Sequence, residues 1–291
     1  KVSIQQNFTK KINNKKLIFY KLDLSKKSLF HIFKKHKPDL IMNFAAETHV
    51  DKSISFPESF YSNNIKIVTN LLKDIELYKK IKKNIKFIQI STDEVFGSLK
   101  KNSKKFNENS AYNPQNPYAA SKACCDLIIR SHANTFNLRY IIIHLTNNFG
   151  PYQNIEKLIP MTIFKLINRK KIPIYGSGLN LRDWLYVKDT SKILMKIIKS
   201  NLLGNICIGG NNEHTNIDLI KIILSNFRNY HPNFKHKLNS NVIYIKDRPG
   251  HDFRYALESS KFIKKLNWSP SDNFNFNINE TIKWYMDNYK I

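Results

Sequence analysis

Ser91-Thr92-Asp93-Glu94-Val95-Phe96-Gly97, preceded by Ile85-Lys86-Phe87-Ile88-Gln89-Ile90 and followed by Tyr118-Ala119-Ala120-Ser121-Lys122, is the text on which the fold turns. The apolar run has strand length, so Asp93 and Glu94 fall at a strand end. Neighbours in a regular strand point to opposite faces, so the backbone must leave strand geometry here if both carboxylates serve one site. Tyr118 and Lys122 are four apart and lie on one helix face, one turn from each other.

Working outward, residues 17–20, 40–44, 85–90 and 140–144 read as strands. Residues 24–35, 59–82 and 118–136 read as helices. This alternation predicts an α/β fold, a Rossmann-type doubly wound parallel sheet covered on both faces. From about Gly150 the pattern changes. Residues 157–169, 190–199 and 217–227 read as helices and 172–175 as a short strand. The expected organisation is a dinucleotide-binding domain over 1–150 and a smaller substrate-binding region over 151–291, with some segments returning to the first domain. A dinucleotide fold opens with strand, Gly-rich turn and helix. The chain begins at Lys1, and its first glycine is Gly97. The opening βαβ unit is therefore expected to be missing, at least in part, with residues 1–14 a surface segment and dinucleotide binding by the chain as written weak. A cofactor-free remnant is the non-enzymatic alternative.

With 291 residues and 42% hydrophobic content the chain can bury a substantial core. No apolar run approaches the roughly 18 residues that span a bilayer, so no membrane association is expected. The net charge of +26 would ordinarily suggest nucleic acid. Only 7 of the 48 basic residues are Arg, however, and the lysines are spread along the chain beside abundant Asn and Ile. No basic heptad region or RNP-like aromatic motif accompanies them, so nucleic acid is set aside. The charge favours an anionic ligand. Cys124, Cys125 and Cys207 form no disulfide framework or zinc pattern, which reads as a reducing, cytoplasmic setting. Cys124 and Cys125, on the Tyr118 helix, read as small buried or interface residues.

A Lys122 ammonium near the Tyr118 phenol is expected to lower its pKa from about 10 and let it take a hydroxyl proton. Adjacent carboxylates can hold different protonation states when their environments differ, which suits Asp93 and Glu94 to an acid and a base. Glu47, His49 and Asp51 alternate like metal ligands but read better as a loop leading into a helix. No metal is expected.

The chain resembles the extended short-chain dehydrogenase/reductases of the NAD-dependent epimerase/dehydratase family, and within them the dTDP-glucose 4,6-dehydratases. The matching text includes Asn43-Phe44-Ala45-Ala46-Glu47-Thr48-His49-Val50-Asp51-Lys52-Ser53, Ser91 to Gly97, and Tyr118 to Lys122. It continues with Thr146-Asn147-Asn148-Phe149-Gly150-Pro151-Tyr152, Glu156-Lys157-Leu158-Ile159-Pro160, Arg182-Asp183-Trp184-Leu185-Tyr186-Val187 and Asp247-Arg248-Pro249-Gly250-His251-Asp252.

The resemblance implies dehydration of a nucleotide-linked glucose to its 4-keto-6-deoxy form through tightly held NAD, toward rhamnose-type sugars. Thr92 and Tyr118 would hold the sugar 4-oxygen, Glu94 would take the C5 proton and Asp93 would protonate the departing C6 hydroxyl. Asp23 and Leu24 would lie near the adenine, with Phe44, Ala45, Ala46, Asn63, Tyr118, Lys122 and Asn148 completing the cofactor site. Asn63 stands where the family usually has Thr. For the substrate the resemblance implies Thr48, Thr92, Asn147, Lys157, Leu158, Pro173, Ile174, Tyr175, Arg182 and Asn216. Asp247, Arg248, Pro249, Gly250 and His251 would complete it, the two arginines clamping the diphosphate. Phe96 and Phe149 replace the family's Tyr and are expected to pack. A homodimer through the 59–82 and 118–136 helices is implied. The alternatives are a UDP-sugar 4-epimerase or decarboxylase, which do not need the Asp93–Glu94 pair, and a UDP-glucose 4,6-dehydratase, which shares it.

Overall fold

In chain order the first half runs α1 (Phe30–His36), β1 (Leu40–Asn43), α2 (Val50–Ser55), α3 (Pro57–Lys79) and β2 (Lys86–Thr92). A tight helical turn at Asp93–Phe96 precedes α4 (Pro117–Phe136) and β3 (Arg139–Leu145). The second half adds β4 (Asn147–Phe149), α5 (Leu158–Ile167), β5 (Ile172–Tyr175), β6 (Leu181–Tyr186), α6 (Val187–Lys199) and β7 (Gly204–Ile208). After β8 (Glu213–Thr215) and α7 (Asn216–Phe227) come α8 (Leu238–Asn241), β9 (Val242–Ile245), β10 (Arg254–Tyr255), α9 (Ser260–Leu266) and α10 (Phe274–Asn288). This computed structural model describes residues 17–232 and 237–289. The segment 1–14 lies outside them.

Strands β1, β2, β3 and β7 form one parallel sheet in that order, with Met42 opposite Ile88, Ile88 opposite Ile141, and Ile143 opposite Ile206. Strand periodicity sends successive residues of β2 to opposite layers. Phe87 packs with Ile75, Tyr78 and Ile129 of α3 and α4, while Ile88 packs with Ile193 and Ile197 of α6. Ile141, Ile142 and Ile143 are all fully buried, as a parallel strand covered on both faces requires. Each such side chain contributes roughly 1.5–3 kcal/mol by leaving water. The sheet is therefore parallel with helices on both faces, as the alternation predicted.

A separate core lies in the second half, where Ile159 and Ile163 of α5, Ile220 and Ile223 of α7, and Ile278 and Ile282 of α10 join Trp184 in one buried cluster. Around it β10, β6 and β4 pair in parallel, β8 joins β6 antiparallel, and β5 pairs with β9.

Two expected elements differ. Residues 17–20 form no strand: Leu17, Ile18 and Phe19 are more than half exposed, and no strand pairs with them among the described residues. A lone extended segment has nowhere to place its backbone hydrogen bonds. The helix expected over 24–35 starts only at Phe30. Asp23 instead closes a local turn, accepting from the Ser25 N–H at 3.0 Å and the Ser25 hydroxyl at 2.6 Å, and this competes with helix formation.

Candidate active site

β2 delivers Thr92 to the carboxyl edge of the sheet, and the chain then turns sharply. The Thr92 hydroxyl accepts from the Glu94 N–H at 3.3 Å, capping the Asp93–Phe96 turn. Gly97 ends the turn at φ +83°, where a Cβ would lie 2.3 Å from the Asn113 carbonyl oxygen. Only glycine fits there. This departure from strand geometry buries Asp93, at 2% exposure, while Glu94 faces the cleft. Opposite stands the start of α4. Asn116 caps it by accepting from the Ala119 N–H at 2.9 Å, with Pro117 in the first turn. The same Asn116 donates its amide to Glu94 Oε2 at 3.1 Å. Tyr118 sits one residue inside the helix, its N–H donating to Ser53 Oγ at 3.2 Å.

The two carboxyls have different environments. Burial, then the charges of Glu94 and Asp183, push Asp93 well above the usual carboxylate range against the pull of Arg182. Its Oδ1 accepts from the Thr92 hydroxyl at 3.2 Å, and its buried Oδ2 has no partner among the described residues. Burial thus favours the protonated form of Asp93, the form that can donate a proton.

The expected effect of Lys122 on the Tyr118 phenol is not found. Burial and the Glu94 charge raise the phenol's pKa, opposed by a hydrogen bond with Thr92. Lys122 is itself buried and donates to the Ile90 carbonyl at 2.8 Å. Desolvation outweighs a lysine whose ammonium is engaged by backbone.

A cleft of about 690 Å³ joins these groups to the second half of the chain. From the sheet side Phe44, Thr48, Asn147 and Asn148 line it, with Thr92, Asp93, Glu94 and Tyr118 at its base. From the other side come Lys157 and Leu158 at the start of α5, Pro173, Ile174 and Tyr175 of β5, and Asn216 at the start of α7. Arg182 of β6 and the loop residues Arg248, Gly250 and His251 close it. Arg182 is 7% exposed, stacks 4.3 Å above the Tyr255 ring and donates to the carbonyls of Leu181, Asp252 and Phe253. Arg248 instead forks onto Asp51. His251 pairs through Nδ1 with Asp247 Oδ1 at 2.7 Å, and burial lowers its pKa.

Several expected residues stand elsewhere. Asp247 and Pro249 are not on the cleft wall, Asp247 being occupied by His251 and by the Arg248 N–H at 2.8 Å. Asp23 and Asn63 line a second depression of about 600 Å³ with Glu47 and Lys52. There Asn63 donates to Glu47 at 3.4 Å. Leu24 packs against the α1–α3 core. Ala45 and Ala46 follow β1 in the loop that contributes to both cavities, and Lys122 lies behind the cleft wall. Phe96 and Phe149 are buried, Phe96 stacked on Phe106 and Phe149 packed against Tyr186. Cys125 is buried and Cys124 exposed.

Sequence reasoning missed Asn116, Asp252 and Tyr255 as parts of this site. The Asn-Pro pair before a helix signals a cap and could have found Asn116. Tyr255, whose hydroxyl reaches Glu94 Oε2 at 3.4 Å and also donates to Asp252, comes from a distant strand and carries no local signal.

The family model described as GDP-mannose 4,6 dehydratase matches residues 2–281. A dTDP-glucose 4,6-dehydratase of Neisseria meningitidis is 35% identical over 97% of this chain and 82% of its own length. One of Haemophilus influenzae is 38% identical over 95% of this chain and 85% of its own. The crystal structure of DesIV, a dTDP-glucose 4,6-dehydratase from Streptomyces venezuelae with NAD and TYD bound, superposes with a TM-score of 0.87 at 32% identity. That match covers 98% of this chain and 84% of the other. Likeness of this depth across nearly every residue means that the chain belongs to the dTDP-glucose 4,6-dehydratase family.

Proposed function

We propose that this chain dehydrates dTDP-glucose to dTDP-4-keto-6-deoxyglucose with NAD as its cofactor, in deoxysugar synthesis of the rhamnose type. The observation that carries the reading is the Asp93–Glu94 couple. One carboxyl is buried with its pKa pushed up, which favours its acid form, and its neighbour faces the cleft beside Tyr118. An epimerase or decarboxylase has no use for such a pair.

The residues at the carboxyl end of β1 fit NAD on the nicotinamide side. Ala45 and Ala46 leave room for close approach, Phe44 offers a 61% exposed ring, and the buried Thr146 Oγ1 and Asn147 Oδ1 have no partner among the described residues. Bound NAD would supply the two-electron oxidant and reductant and, when oxidised, a positive charge that opposes the upward push on the Tyr118 phenol.

Thr92 and Tyr118 receive the sugar 4-hydroxyl; Tyr118, in its phenolate form, would take the hydroxyl proton as the C4 hydrogen leaves as hydride, for which oxidised NAD would be the acceptor. With C4 a ketone, the C5 proton is acidic and Glu94 removes it. The electron pair left at C5 forms the C5–C6 double bond, the C6–O bond breaks, and Asp93 passes its proton to the departing hydroxyl, which leaves as water. Return of the hydride to C6, which reduced NAD would supply, and of the proton from Glu94 to C5 would complete the 4-keto-6-deoxy product. Arg182 and Arg248 hold the diphosphate, while Lys157, Leu158, Tyr175 and Asn216 frame the nucleoside. On this reading residues 1–150 serve the cofactor and 151–291 mainly the substrate. The protein works as a homodimer through α3 and α4, which carry the exposed apolar side chains Tyr61, Leu77, Leu127 and Phe136. Its thiols are free, which suits the cytoplasm. Among the described residues no helix is long and apolar enough to cross a membrane.

The test compares dTDP-glucose with UDP-glucose by the alkaline absorbance of the keto product. Glu94→Gln should still reduce NAD on mixing, yet form product about 100- to 10,000-fold more slowly. A Glu94→Gln variant that dehydrates like the wild type removes Glu94 from the role, and preference for UDP-glucose removes dTDP.

A further inference from the structure

The short segment between β1 and α2 collects contacts from across the cleft. Lys157 donates to the Thr48 carbonyl at 2.9 Å, and His49 Nε2 lies 3.6 Å from Glu156. Asp51, two residues on, is held most closely. Arg248 Nε reaches Asp51 Oδ1 at 2.6 Å and Arg248 Nη2 reaches Oδ2 at 3.1 Å, while the Tyr175 hydroxyl donates to Oδ2 at 3.2 Å. The Arg248 guanidinium also lies 4.9 Å above the Tyr175 ring, so its plane as well as its edge is fixed.

A guanidinium is a planar fork with donors along more than one edge. Asp51 occupies the Nε–Nη2 edge. The Nη1–Nη2 edge is a second bidentate fork, on a side chain that lines the cleft. An anion can therefore be clamped without displacing Asp51. We infer that Asp51 is a positioning residue for Arg248, holding the guanidinium by one edge so that the other receives the diphosphate of the nucleotide sugar. This inference rests on the nucleotide-sugar reading of the cleft. It gives Asp51 a task distinct from the alternating Glu47, His49 and Asp51 pattern, whose members have three separate partners: Asn63, Glu156 and Arg248.

Pre-orientation lowers the ordering cost of binding and leaves the chemical step alone. Asp51→Asn keeps the size of the side chain but loses its charge and the matched fork. Calorimetric titration with dTDP should give a Kd about tenfold weaker than that of the wild type. The KM for dTDP-glucose should rise by a similar factor while kcat changes by less than about twofold. Asp51→Glu should recover part of the loss. In an Arg248→Ala background, Asp51→Asn should have no further effect, because the two residues act as one unit.

A fall in kcat and in melting temperature with unchanged dTDP affinity assigns Asp51 to fold alone and overturns the inference. Tighter dTDP binding by Asp51→Asn overturns it too, because the carboxylate would then be competing with phosphate. If Asp51→Asn fails to fold, Tyr175→Phe, which removes only the hydroxyl bound to Asp51, takes its place with an expected loss of about two- to threefold. A wild-type chain that melts normally but takes up no dTDP overturns the nucleotide-sugar reading itself. Wild-type binding matched by the variants overturns the positioning role alone.

Discussion

Asp252 shows how one buried carboxyl can couple the site to pH. Burial pushes its pKa up to about 6, the Glu94 charge adds to this, and the Tyr255 hydroxyl donated to Oδ2 opposes both. Its unfolded value is about 3.9. A carboxyl raised on folding contributes stability that is fully present below the unfolded value and is lost as pH rises through about 6. Relative to Asp252→Asn, the wild type should lose on the order of 2 kcal/mol between pH 4 and 7. Urea denaturation of both proteins at several pH values reads this, and a flat difference would rule it out. At this scale the sequence reveals groups whose partners are close in the chain. Thr92, Asp93 and Glu94 adjoin one another, and Tyr118 starts the helix that faces them. Tyr255 reaches Glu94 from some 160 residues away and ties Asp252 to it, and nothing beside Tyr255 in the chain announces the contact.

Helix α4 is placed by its cap, and the cap residue also touches the chemistry. Asn116→Asp keeps an acceptor for the Ala119 N–H but sets a second carboxylate against Glu94. Its melting temperature should stay near the wild type while dehydration falls about tenfold. Asn116→Ala should instead lose about 1 kcal/mol of stability. Equal activity of Asn116→Asp and wild type would show that the amide donated to Glu94 is incidental. Elements announced by strong periodicity, such as β2, β3, α4 and α7, were legible to within a few residues. β6 was not, because its Arg182 and Asp183 are buried with partners and break the apolar alternation. β8 and β10 are too short to carry a period. The turn at Asp23 hid the true start of α1, since a side chain satisfied the backbone where a helix would have begun.

For the whole molecule, the alternating layers could be foreseen because a parallel sheet buried on both faces leaves unbroken apolar runs. The way the second half wraps back could not: α6 and β7 join the sheet while α5, α7 and α10 build their own core, a division set by packing between distant segments. Leu127, 52% exposed on α4, belongs to the face assigned to the subunit contact. The 34.2 kDa chain should sediment at twice its own mass, and Leu127→Asp should sediment as the single chain. A wild type that sediments alone at micromolar concentration would dismiss the dimer.

The final helix has a reach beyond its own core. Tyr285 gives its hydroxyl to the Gln153 carbonyl, and Trp284 packs 4.5 Å from the Tyr152 ring, so α10 props the turn whose far end presents Glu156 and Lys157. A protease that clipped the tail just ahead of α10 would therefore slacken the grip on the nucleotide end of a ligand, while the acid couple at the edge of the parallel sheet, braced by other helices, kept its footing.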